Sequence, residues 1–125
     1  MTLPYGPTVL EHFRRPRNHR ALERPSASHE GFNPLCGDRV RIEVEISEST
    51  IRAAAFTANA CAICTASASL LTERLTGMPV DRAAEISDTE MHAALGTDVP
   101  QARIVCATLP VRTLREALRR LHSPS

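Results

Sequence analysis

Four cysteines, Cys36, Cys61, Cys64 and Cys106, are the residues of this chain best suited to chemistry. A thiolate binds soft and borderline metal ions and is the form that attacks sulfur, whereas a buried, protonated cysteine acts only as a small hydrophobe. Cys36 lies in the run NPLCGD, residues 33–38, two positions before Asp38. Gly37 between them permits a tight backbone path, so a thiol and a carboxylate can converge on one point. Asp38 alone reads equally well as a turn or capping residue. Cys61 and Cys64 form a C-x-x-C pair, by itself a weak zinc or redox signal because no second pair follows at zinc spacing.

The setting of these thiols follows from composition. The 125 residues are 42% hydrophobic and 23% charged, with fifteen basic and fourteen acidic residues and a formal net charge of +1. Such a chain supports one domain, residues 1–125, with a single core and no need of disulfide staples. So even a charge balance argues against a nucleic acid or a membrane surface as partner. No apolar run approaches the roughly 20 residues that span a bilayer. Pro4, Gly6 and Pro7 interrupt the place where a secretory signal carries its apolar stretch, and Arg14, Arg15 and Arg17 follow. A cytoplasmic location with reduced thiols is the expectation.

The elements that must position the thiols are read from periodicity. Val9, Leu10 and Phe13 predict a helix over 7–15, ended by Pro16. Residues 18–33 contain Pro25, Ser26, Ser28 and Gly31, have no period, and read as a loop or extended arm long enough to be functional. Val40, Ile42, Val44 and Ile46 alternate with Arg41, Glu43, Glu45 and Ser47, a strand over 40–47 with one wet face. A turn at Glu48, Ser49 and Thr50 leads to a second strand over 51–58, paired antiparallel to the first. A helix over 65–76 follows, with Ala66 and Leu70 inward and Gly77 as its stop. Residues 80–86 read as a short helical turn, and Ser87 or Asp88 caps a helix through Leu95 that Gly96 ends. Leu109, Leu114, Leu118 and Leu121 predict an amphipathic helix over 110–121, with Pro110 opening it or kinking it behind Cys106. The class is α+β: a small antiparallel sheet packed against several helices.

A hairpin returns its far end to its origin, which makes Cys36 and Cys61 neighbours at one end of the sheet. Cys61, Cys64 and Cys106 also fall near expected helix N-termini, where the backbone field favours a thiolate. Cys64 taken alone is as readily core as ligand. Its helical spacing brings it close to Cys61, close enough for a disulfide side reaction once any metal is lost.

Several stretches carry a family resemblance. LEHFRRPRNHRAL (residues 10–22) resembles the N-terminal helix and Pro-Arg-Asn segment of the iron–sulfur cluster assembly scaffolds, the IscU, SufU and NifU N-terminal domain proteins. FNPLCGDRVRIEVEI (32–46), FTANACAICTASASLLTERLTG (56–77) and ARIVCATLPVRTLREAL (102–118) resemble that family's three cysteine blocks, in order. The resemblance covers nearly the whole chain. It implies that Cys36, Asp38, Cys61 and Cys106 hold zinc or a transient two-iron (2Fe–2S) cluster; three sulfurs and a carboxylate suit a tetrahedral site. It further implies a protein that accepts persulfide sulfur from a PLP-dependent cysteine desulfurase, scaffolds a nascent cluster for downstream iron–sulfur apoproteins or carriers, or does both. In the SufU-like mode, a zinc-dependent sulfurtransferase, the acceptor is Cys36; in the IscU-like mode it is Cys106.

The departures from the family pattern are specific. Val105 stands where many IscU proteins carry His before the third cysteine, and their Leu-Pro-Pro-Val-Lys motif is absent. Arg103 and the residues around Cys106 look more like SufU, with Arg103 placed to orient the carboxylate, steer an anionic sulfur species or form a surface ion pair. The SufU insertion between the second and third cysteines is missing, and Cys64 takes a position usually held by Ser. Two other classes stand beside the resemblance: a thiol redox protein built on Cys61 and Cys64, and a structural zinc module without turnover.

Overall fold

The computed structural model describes residues 6–121; Pro4 and the Ser-Pro-Ser end, residues 123–125, lie outside them. The element order is α1 (Gly6–Arg14), β1 (Ala27–Asn33), β2 (Asp38–Ser47), β3 (Thr50–Asn59), α2 (Ala62–Leu75), α3 (Val80–Ala83), α4 (Asp88–Ala94) and α5 (Ile104–Leu121). The three strands form one antiparallel sheet in the order β1-β2-β3, so the α+β class holds.

The alternating run becomes β2 because its apolar members face the core and its charged ones mostly do not. Val40, Ile42 and Val44 are buried and stand opposite Ala58, Phe56 and Ala54 of β3. Glu48 and Ser49 both have positive φ, +52° and +64°. That is the signature of a two-residue hairpin turn whose twist matches its strands, and Thr50 is therefore already the first residue of β3.

The expected loop or arm over 18–33 is only partly one, because residues 27–33 form β1. Its sequence, ASHEGFN, shows no apolar alternation because only its end residues Ala27 and Asn33 are buried. Backbone pairing with β2 and close packing on α5 hold it instead. Gly31 shows how close: a Cβ there would lie 2.0 Å from Thr113 Oγ1 and 3.2 Å from Leu109 Cδ1. The rest of the segment closes the free edge of β3. The Asn18 carbonyl accepts the Phe56 N–H at 2.9 Å, and the His19 ring stacks on Phe56 with centroids 4.8 Å apart.

The helices cover the sheet's inner face. α2 is buried on nearly all sides, so no apolar stripe marks it and its start at Ala62 precedes the expected one. Leu70 is only partly buried. Ser87 is the cap of α4: its hydroxyl accepts the Glu90 N–H at 3.0 Å while the Glu90 carboxylate accepts the Ser87 N–H at 3.4 Å, a complete capping box. The last helix begins at Ile104, six residues before the expected start, with Pro110 in its interior. Proline lacks only the N–H that would reach the carbonyl four residues back, here that of Cys106, and its ring crowds that carbonyl. Burial of Ala107, Val111, Leu114 and Leu118 offsets the loss. No helix among the described residues is long and apolar enough to cross a membrane.

Candidate metal and sulfur site

Three elements and one loop meet at the end of the sheet away from the hairpin turn. Asn33 closes β1 opposite Asp38, the first residue of β2, so residues 34–37 form a short connection with Cys36 near its tip. Gly37 has φ +75°, and a Cβ there would meet nothing within 4 Å; the requirement is backbone conformation, not space. Cys61 is the N-cap residue of α2, just after β3 ends at Asn59. Cys106 is the third residue of α5. Residues from distant parts of the chain thus lie at one end of the sheet.

The ligand atoms of Cys36, Asp38 and Cys106 all lie within 4.8 Å of one another. The Cys36 and Cys106 sulfurs are 3.5 Å apart. Asp38 is 4% exposed; its Oδ1 accepts the Cys61 backbone N–H at 3.0 Å, and its Oδ2 is sealed from solvent without a hydrogen-bond partner. A buried carboxylate oxygen left bare beside thiols is unfavourable unless something else satisfies it, and a cation held by the same groups would do so. Cys61 is half-buried beside the Asp38 carboxylate but outside the close trio. Two thiols and a carboxylate in contact, with a third thiol at the rim, fit the donor preferences of zinc and of iron.

The electrostatics refine the reading of the thiols. Burial works to raise the Asp38 carboxyl, but the nearby Cys106 thiol, the hydrogen bond from the Cys61 backbone N–H, and the Cys36 and Cys61 thiols outweigh it and hold the group below the usual carboxylate range. The Cys106 thiol is pushed well up, first by burial and then by Asp38 and Cys36. Cys64 is fully buried and also pushed well up, first by burial and then by the Asp38 charge. The expectation that helix N-termini favour thiolates at Cys64 and Cys106 is therefore overturned for the metal-free protein: desolvation outweighs the helix field. Cys64 sits inside the core, which weighs against a redox centre built on Cys61 and Cys64. Cys36, by contrast, is exposed.

Two further features carry no signal in the sequence. The Asn33 side-chain amide donates to the Cys36 sulfur at 2.9 Å. Apolar side chains stand open around the site: Leu35 is 90% exposed, with Phe32 and Val105 also exposed. The Arg39 guanidinium lies 4.9 Å from the Phe32 ring centroid. Arg103 closes a 3₁₀ turn, Gln101–Arg103, that leads into the Cys106 helix.

Comparison with known proteins gives a consistent result. Residues 4–123 match the family model of the NifU-like N terminal domain. The chain is 35% identical over 114 residues to the bifunctional protein NifU/MnmA of Rubrobacter xylanophilus, a match covering 90% of this chain and 23% of that much longer protein. It is 30% identical to the iron–sulfur cluster assembly scaffold protein IscU of Streptococcus pyogenes, across 93% of this chain and 83% of that one. The zinc-dependent sulfurtransferase SufU of Bacillus subtilis is 28% identical, across 91% and 88%. The solved N-terminal structure of a nitrogen-fixing NifU-like protein from Brucella abortus superposes with a TM-score of 0.78, covering 97% of this chain and 96% of that one. At its 20% identity that likeness is one of fold.

Proposed function

Since the chain belongs to the NifU-like N terminal domain family, we propose that it is an iron–sulfur cluster assembly protein that takes sulfur from a PLP-dependent cysteine desulfurase at Cys36. The observation that carries this reading is the contrast within one cluster. Cys36 is exposed on a loop, while its neighbours Asp38 and Cys106 are buried.

The chemistry assigned to the chain is a thiol–persulfide exchange. The Cys36 thiolate attacks the outer sulfur of a persulfide on the donor's cysteine; a new S–S bond forms on Cys36 as the donor's S–S bond breaks. The donor cysteine leaves as a thiolate, the transferred sulfur stays on Cys36 as a persulfide, and no net oxidant or reductant is consumed. Bound zinc would hold its cysteine ligands as thiolates. Asp38, Cys61 and Cys106 supply the remaining donors, and the same donors suit iron and sulfide carried as cargo to downstream apoproteins or carriers. Cys106 is the weaker acceptor because its sulfur is sealed from any incoming donor and its thiol resists deprotonation in the metal-free protein.

The test combines this chain with a PLP-dependent cysteine desulfurase and cysteine. The wild-type chain should raise alanine output above the desulfurase alone, and mass spectrometry should find one added sulfur on Cys36. Cys36→Ser should lose both signals. Stimulation kept in Cys36→Ser but lost in Cys106→Ser would move the acceptor to Cys106. Stimulation kept in both would mean that no sulfur passes through the site, and a structural zinc module would then be the better reading. Single Ser replacements at Cys36, Cys61 and Cys106 should each weaken zinc binding.

A further inference from the structure

We propose that Asn33 is a positioning residue for sulfur transfer: its side-chain amide holds the Cys36 sulfur at the mouth of the site through an N–H···S hydrogen bond. The inference rests on the reading of Cys36 as the acceptor and adds the residue that makes an exposed loop cysteine a defined one.

Asn33 ties down three successive residues of the 34–37 connection. Its Oδ1 accepts the Leu35 N–H at 3.1 Å, its Nδ2 donates to Cys36 Sγ at 2.9 Å, and its backbone carbonyl accepts the Gly37 N–H at 2.8 Å. The orientation of the amide follows from the network itself. The Leu35 N–H can only donate, so the amide oxygen must face it and the NH₂ group must face the sulfur. Asn33 is itself 5% exposed, so its amide is fixed while the cysteine it holds is open to solvent.

The amide thus has two separable functions. The oxygen forms an Asx turn that shapes the loop, a role Asp or Ser can share. The nitrogen addresses the reacting atom and contributes nothing to the turn. The 2.9 Å contact places the amide nitrogen directly against the sulfur. One N–H on the sulfur leaves its solvent-facing side open for attack, with the Cys106 sulfur 3.5 Å away. Without that bond only the contacts with Cys106 and Asp38 hold the Cys36 side chain against other rotamers.

The experiment replaces the nitrogen while keeping the turn. Asn33→Asp retains an acceptor for the Leu35 N–H and loses the donor; Asn33→Ser also retains a short acceptor, without added charge, and carries no amide. Asn33→Ser should melt within a few degrees of wild type; Asn33→Asp, which buries a carboxylate opposite Asp38, should melt lower, as should Asn33→Ala, which loses the turn as well. Sulfur transfer to Cys36 is followed by mass spectrometry with two donors, a cysteine desulfurase with cysteine and the small donor glutathione persulfide. For both variants the turnover rate should fall about tenfold or more, the worth of a hydrogen bond to a charged group, at an unchanged KM for the desulfurase. A purely structural asparagine would not split the two parameters in this way. Zinc affinity of Asn33→Ser should drop about tenfold, as expected when an outer partner of a ligand is removed. Unchanged transfer rates in both variants, with wild type active, would overturn the role of Asn33 while leaving the proposed function standing. If wild type takes sulfur from neither donor, the proposed function fails instead. The zinc measurement then decides this inference alone, and equal affinity in Asn33→Ser and wild type overturns it.

Discussion

Ser69 is the point at which the N-terminal helix is fastened to the helix that carries Cys61, and its removal has a calculable effect. Its hydroxyl lies 2.7 Å from His12 Nδ1 and accepts the Arg17 N–H at 2.8 Å. The Ser69 hydroxyl and His12 Nδ1 share one hydrogen bond, whose direction goes with the ring tautomer. Ser69 is fully buried and His12 is 8% exposed. Ser69→Ala deletes both bonds and leaves the buried ring nitrogen bare, about 1–3 kcal/mol for that atom and roughly 1 kcal/mol for the second bond. At roughly 3–6 °C per kcal/mol for a chain of this size, the melting temperature should fall by roughly 6–24 °C. The same site predicts a pH dependence. Burial lowers the His12 pKa, Arg17 lowers it further, and Glu73 and Glu11 oppose this. Folded His12 therefore takes up its proton at lower pH than unfolded His12. Its contribution is fully present above the unfolded value of about 6.5 and is lost as pH falls through the window below it, with a slope of at most about 1.4 kcal/mol per pH unit. His12→Asn places an amide oxygen near the Nδ1 position and cannot titrate. Urea unfolding of both proteins between pH 7 and 5 isolates the contribution as a difference in slope. Equal slopes, or a Ser69→Ala midpoint within about 2 °C of wild type, would refute the reasoning.

Two other substitutions probe the placement of the thiols and of β1. Cys64→Ser should leave zinc stoichiometry and sulfur acceptance unchanged while lowering stability by about 1–3 kcal/mol, because it places a hydroxyl in the core; loss of zinc in this variant would mean the ligand set is wrong. Peptide mapping of air-exposed metal-free protein should correspondingly find Cys36 joined to Cys106, whose sulfurs are 3.5 Å apart, rather than Cys61 joined to the sealed Cys64. Gly31→Ala should destabilise by roughly 1–3 kcal/mol through its clash with Thr113. Thr113→Ala in the same chain should recover part of that loss in thermal denaturation, and strictly additive effects would show that the clash is not the cause.

The parts of the fold visible in the sequence are those in which one face is wet and the other dry. β2 alternates because solvent and core lie on its two sides, and the charged neighbours of Val40, Ile42 and Val44 make it legible. α2 hides its period because it is buried nearly all round. β1 hides because its stability lies in backbone pairing and in the absence of a side chain at Gly31. Pro110 misplaces the start of α5: a proline is commonest in a first turn, but here tertiary packing holds the helix on both sides of it. The thiol-bearing loops are legible through residue type and spacing. Their ionisation is not, because the helix field at Cys64 and Cys106 is a local feature, whereas the desolvation that outweighs it depends on the whole core. Asn33 escapes notice for a related reason: a loop asparagine reads as a turn former, and only the geometry separates the atom that makes the turn from the atom that reaches the sulfur.

The mounting of the proposed ligands bears directly on transfer. Asp38 and Cys106 belong to a strand and a helix packed in the core, so their positions follow the fold. Cys61, at the cap of α2, joins them through its N–H on Asp38. Cys36 alone rides on a loop, exposed and fastened by a side-chain hydrogen bond. A site built with one yielding ligand and several fixed ones can release that ligand to react without dispersing the rest. A site with all its ligands in the core would hold metal more rigidly but present no sulfur to a partner, and one with all of them on loops would not reassemble after each exchange. This division of labour suits sulfur acceptance better than permanent storage of an ion. On this reading Cys36 answers to Asn33, whereas burial governs Cys64 and Cys106.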